Sequence, residues 1–105
     1  MASLQSILSQ LHPDFFKALC EPTRQNIVTV LAQKNKPCSV SQIAQYCTVD
    51  ISVVSRHLNL LKQAGVVAAN KQGREVFYSL NGEETSSIFK KLAQALDNCC
   101  PQGKP

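Results

Sequence analysis

Apolar residues recur along this chain at helical intervals, in short runs divided by breakers. In SLQSILSQL, Leu4, Ile7, Leu8 and Leu11 share one face, and Ser3 stands where an N-cap belongs. The other face is Ser and Gln, so this short helix needs a surface to lie on, its own domain's or a partner's. Pro13 restarts the chain, and DFFKALC predicts a second short helix with Phe15 and Leu19 on one side. EPTRQNIVTVLAQ predicts a third, with Pro22 at the first helical position and Ile27, Val30 and Leu31 as its buried stripe. NKP breaks the chain from Asn35 to Pro37. Ser39 and Gln42 then match a capping box for a helix running to Tyr46 or Cys47, with Val40, Ile43, Ala44 and Cys47 inward.

A three-residue gap, TVD, leads into DISVVSRHLNLLKQAGVV. At helical spacing Ile51, Val54, Leu58 and Leu61 fall on one side. Ser52, Arg56, Asn59 and Gln63 fall on the other, with Ser55 and Lys62 at its edge. Gly65 suits a left-handed helix end. VVAA and REVFYSL read as strands joined by NKQG, whose Asn70 and Gly73 favour a turn. Tyr78 and Phe77 on the second strand read as core. After Gly82 a last helix aligns Ile88, Leu92, Ala95, Leu96 and Cys99. Pro101 ends it, and a loose tail over 101–105 is expected.

The pattern predicts one domain over 1–105, mainly α with a two-stranded β-wing: a winged helix-turn-helix. Any amphipathic surface helix has a polar side, so the polar row alone says little. Its combination with a short preceding helix, a tight turn and a basic ribbon points to DNA. A recognition helix must seat its apolar side in its own domain and offer donors and acceptors to the major groove. Arg56 can donate twice to guanine, and Asn59 and Gln63 can pair with adenine. Ser52 and Ser55 suit phosphate or base contacts, and Lys62 and Gln42 join the same set. Lys71 and Arg74 flank the ribbon turn, where they can touch the backbone or minor groove. His57 lies toward the apolar flank and is expected to be partly buried or to contact phosphate rather than bind metal.

Composition narrows the classes. The chain has 105 residues and a formal net charge of +4, a mild basic bias compatible with nucleic acid. So small a chain gains from a dimer interface. No apolar run approaches the roughly 18 residues of a membrane span. MASLQSILSQLHPD lacks the basic start and long apolar segment of a secretory signal, so a cytoplasmic protein is expected. No nucleophile–base–acid set, phosphate loop or closed metal pattern suggests an enzyme. The five cysteines form no C-x-x-C pair and are expected as thiols in a reducing compartment.

FFKALCEPTRQNIVTVL resembles the F-x-A-L-x-x-P-T-R-x-x-I-x-x-L segment of the ArsR/SmtB family of metal-responsive repressors. SVSQIAQYCTVDISVVSRHLNLLKQAGVV resembles that family's helix-turn-helix, and KQGREVFYSL its wing. The resemblance covers roughly residues 13 to 80. It implies a homodimer joined through the first and last helices, binding an inverted-repeat operator when free of inducer and released when inducer binds.

The family's sensor sites are only partly matched. Members with a thiolate site at the start of the first helix of the helix-turn-helix show Cys-x-Cys, whereas PCSVSQ has Cys38 alone. Members sensing zinc between paired last helices use Asp and His, and the last helix here has no His. What remains is the vicinal pair Cys99 and Cys100, whose soft thiolates suit thiophilic ions. Adjacent side chains on a helix point about 100° apart, so both reach one ion only if the helix frays before Pro101. As(III) is the favoured inducer, with Cd(II) or Hg(II) as alternatives. Arsenite wants three thiolates, and Cys20 is the best third candidate. Cys47 reads as a small core hydrophobe and Cys38 as an exposed loop residue. Two other readings stay open. Like some relatives that respond to oxidants or reactive sulfur, the protein can join Cys20 to Cys99 or Cys100 if their Cα atoms lie within about 7 Å. Alternatively, the winged helix binds only protein.

Overall fold

The computed structural model describes residues 3–99. Among these the order is α1 (Leu4–Leu8), α2 (Phe15–Ala18), α3 (Pro22–Lys34), β1 (Cys38–Ser39), α4 (Val40–Ala44), α5 (Ile51–Gln63), β2 (Val67–Gln72), β3 (Glu75–Leu80) and α6 (Gly82–Cys99). The expected tail from Pro101 lies outside the described residues.

Local chemistry sets the helix ends. The Ser3 hydroxyl accepts the Ser6 amide at 3.1 Å and starts α1. Pro22 opens α3, and Asn35 closes it in a left-handed conformation with φ 52°, its amide donating to the Leu31 carbonyl. At α4 the capping box forms as expected: the Gln42 amide donates to the Ser39 hydroxyl at 3.3 Å, and the Ser39 amide donates to the Gln42 side-chain carbonyl at 2.8 Å. The helix is shorter than its apolar pattern suggested. It ends at Ala44, and the tight turns Tyr46 N–H to Ile43 O and Cys47 N–H to Ala44 O replace its last turn. The connection to α5 is therefore residues 45–50 rather than TVD alone.

The sheet differs from the expected ribbon in two ways. It has three antiparallel strands in the order β1-β3-β2, because Cys38 pairs with Tyr78 and Ser39 with Phe77. A two-residue strand between a proline and a helix cap leaves no periodicity to read. The hairpin ladder also continues to Gln72 opposite Glu75, so Asn70 pairs with Phe77 inside the ladder and is not a turn residue. Only Gly73 and Arg74 remain as the loop. Gly73, at φ 64°, supplies the positive φ that a two-residue hairpin needs.

One apolar cluster joins the elements. Ile27, Ile43, Val54, Leu58, Leu61 and Val67 are its most deeply buried large side chains. Phe15 enters from α2 with its ring edge-on to Phe89 of α6, at 5.8 Å between centroids. Tyr78 is buried, as expected. The terminal helices pack on each other and divide their stripes. Ile7, Leu11 and Ile88 face the core, Leu92 and Ala95 are half-buried, and Leu4, Leu8, Phe89 and Leu96 remain exposed. Phe16 is also exposed and stacks on Phe89 at 6.3 Å. Among the described residues no helix is long and apolar enough to cross a membrane.

Candidate nucleic-acid interface

The site is built on α5. Val54, Leu58 and Leu61, each 0% exposed, seat it against α3, α4 and β2. Ile51 departs from the expected stripe: it is 50% exposed, because the first residue of α5 projects past the packed part of the helix. On the outer side Ser52, Ser55, Arg56, Asn59, Lys62 and Gln63 are all exposed. Among the described residues, none of these side chains hydrogen-bonds within the protein, which leaves them available to an external partner. Gln63 stands apart from the rest. It is the last residue of α5, about 18 Å along the axis from Ile51, and borders a cleft of about 150 Å³ shared with Asp14, Lys17 and Arg24.

Two predicted residues have structural duties as well. The Gln42 side-chain carbonyl is committed to the Ser39 amide, which leaves only its NH2 to donate outward. His57 is half-buried, and its Nδ1 lies 3.1 Å from Nη1 of Arg24. A guanidinium only donates, so Nδ1 accepts and the ring proton sits on Nε2. Both wing residues, Lys71 and Arg74, are exposed, with Arg74 at the hairpin tip.

Sequence reasoning missed what holds α5 in place. Arg24, in the first turn of α3, spans three neighbours. Its Nε donates to the Ala18 carbonyl at 2.7 Å, its Nη1 to His57, and its backbone amide to the Glu21 carboxylate at 2.8 Å. The last bond is the main cause that holds the Glu21 carboxyl below its ordinary range. Asn26, two residues on, donates to the Tyr46 carbonyl at 3.0 Å and lies 3.8 Å from the Cys47 sulfur. Lys34 places its ammonium 4.6 Å from the centroid of the Tyr46 ring. Arg24 thus ties α3 to α5, and the Asn26 and Lys34 contacts fix the loop between α4 and α5 to α3. The signal was present in PTRQN as polar residues just before the buried Ile27, but the partners His57 and Tyr46 lie far along the chain.

The thiols divide by environment. Cys38 is 2% exposed, correcting the expectation of an exposed loop residue, because β1 carries it into the sheet. Cys47 is half-buried against the core as expected, and burial pushes its thiol pKa up despite the opposing Asn26 contact. Cys20 is exposed just after α2, its sulfur donating to the Phe16 carbonyl at 3.1 Å. Cys99, the last residue of α6, is exposed with its sulfur 3.7 Å from the Leu96 carbonyl. Cys100 lies outside the described residues. Among the described residues no group of three or more His, Cys, Asp or Glu side chains is arranged to hold a metal ion.

Comparison with known proteins agrees with this geometry. Residues 21–69 match the family described as bacterial regulatory protein, arsR family. The transcriptional repressor SdpR of Bacillus subtilis is 38% identical over 63% of this chain and 71% of its own length. A cadmium resistance transcriptional regulatory protein, the CadC homolog of Staphylococcus aureus, is 36% identical over 72% of this chain and 62% of its own. The crystal structure of the transcriptional repressor PagR of Bacillus anthracis superposes with a TM-score of 0.59 at 35% identity, covering 75% of this chain and 88% of that one. From the capped α3 through the seated α5 to the first wing strand, and in its likeness to SdpR, this chain belongs to the ArsR family of bacterial regulatory proteins.

Proposed function

We propose that the protein is a cytoplasmic, homodimeric transcriptional repressor that holds double-stranded operator DNA through α5 and the wing. A thiophilic metal(loid), arsenite foremost, would release it on binding the thiolates of Cys99, Cys100 and Cys20. The observation that carries the reading is the two-sidedness of α5: a fully buried apolar seat behind Ser52, Arg56 and Asn59, which are exposed and unengaged. A protein-only module would not need this row of hydrogen-bonding side chains beside a basic hairpin tip. The names of SdpR and PagR, both transcriptional repressors, favour repression. Dimerisation is supported by the apolar face that Leu4, Leu8, Phe16, Phe89 and Leu96 leave uncovered on α1, α2 and α6.

Metal release is supported by the cadmium-resistance relative and by two exposed thiols, Cys20 and Cys99, on elements adjoining that face. Ion binding there would change how the two protomers sit, and so the spacing of the two α5 helices. A coupling of about 1–3 kcal/mol would lower DNA affinity roughly 5- to 150-fold.

The test is fluorescence anisotropy with duplexes that the protein selects from a random-sequence pool. Arsenite, Cd(II), Hg(II) or a polysulfide is then added. Release by arsenite in the wild type, lost in the Cys99→Ser/Cys100→Ser variant while DNA binding persists, is the expected result. Release in that variant would refute the assigned ligands. Release by polysulfide alone would replace metal sensing with a cysteine pair.

A further inference from the structure

Among the apolar positions of α5, Ile51 serves the fold least. It is the first residue of the helix, 50% exposed, and outside the core cluster that takes Val54, Leu58 and Leu61. Nor does it belong to the apolar face of α1, α2 and α6, which is built on other elements. A lone exposed isoleucine on an arbitrary surface would need no explanation. Here the position gives it meaning. The N-terminal turn of a recognition helix is the part that meets base edges, and the other exposed side chains there, Ser52 and Ser55, are polar. On the helical wheel Ile51 lies about 40° from Ser55 and about 100° from Ser52.

A branched hydrocarbon makes no hydrogen bond to a base. The apolar feature of the major-groove floor that it complements is the C5-methyl group of thymine. Isoleucine is suited to such a contact, since its χ1 is already restricted on a helix and little freedom is lost on docking. We propose that Ile51 is a specificity residue that packs on a thymine methyl in each half-site, beside the hydrogen bonds made by Ser55 and across the helix end from Arg56. The inference rests on the DNA-binding reading above.

The experiment uses the full chain and a duplex it selects from a random-sequence pool. Each thymine is replaced in turn by deoxyuridine, which removes only the methyl group, and affinity is measured by anisotropy at fixed salt. One deoxyuridine in a single half-site should weaken binding roughly fourfold, and one in each half-site on the order of fifteenfold. Ile51→Ser should lose a similar amount on the thymine duplex and become indifferent to deoxyuridine. Ile51→Val should keep part of the discrimination. Equal wild-type binding to every deoxyuridine duplex would overturn the proposal while leaving the repressor reading intact. So would a thymine preference undiminished in Ile51→Ser. Failure of the wild type to retain any duplex from the pool would overturn both.

Discussion

Replacing Arg24 by alanine tests what seats the reading helix. The substitution removes two side-chain hydrogen bonds, Nε to the Ala18 carbonyl at 2.7 Å and Nη1 to His57 Nδ1 at 3.1 Å, and leaves the backbone bond to Glu21 in place. Hydrogen bonds from a charged group contribute about 1.5–3 kcal/mol each. Arg24 is half-buried, so water can reach part of what it leaves behind, and the low end applies. The expected loss is therefore about 3 kcal/mol, set against roughly 5–15 kcal/mol for a domain of this kind. Urea unfolding followed by circular dichroism measures it, at fixed protomer concentration because a dimer's stability depends on concentration. A double-mutant cycle isolates the link to α5: Arg24→Ala and His57→Ala should together cost about 1 kcal/mol less than the sum of their separate effects. Loss of less than about 0.5 kcal/mol in Arg24→Ala, or strict additivity in the cycle, would refute the idea that this arginine ties α2, α3 and α5 together.

Other residues give independent checks. Ser39→Ala breaks half of the capping box and should cost about 1 kcal/mol in the same unfolding assay. Leu58→Ala, at a site 0% exposed, should cost about 2–5 kcal/mol and weaken DNA binding through the loosened α5. Iodoacetamide labelling read by mass spectrometry should modify Cys20 well before Cys47 and Cys38 in the native protein. Only the thiolate reacts, and burial raises the Cys47 pKa, so its labelling rate should begin to climb at higher pH than that of an ordinary thiol.

The sequence showed the helices clearly because each stripe repeats at a fixed interval and most ends carry a local signal: Ser3, Pro22, Ser39, Gly65. The outer row of α5 was legible for the same reason, since phase alone puts Ser52, Arg56 and Asn59 opposite Val54 and Leu58. Features that depend on distant partners were not legible. Cys38 is buried because Tyr78, forty residues on, pairs with it. Arg24 reaches His57 across thirty-three positions. Asn70 has the local character of a turn residue, yet the ladder to Phe77 outweighs it. Ile51 had the right phase for burial, but phase does not tell where along its length a helix stops being covered.

The central claim is that the exposed row of α5 reads base pairs, and Arg56 tests it most directly. Arg56→Ala is exposed and should leave unfolding unchanged, within about 0.5 kcal/mol. Its affinity for the selected duplex, measured by anisotropy at one salt concentration, should fall by about 1–3 kcal/mol, with base preference relaxed at one position per half-site. A variant that binds the same duplex as tightly and as selectively as the wild type would contradict the account.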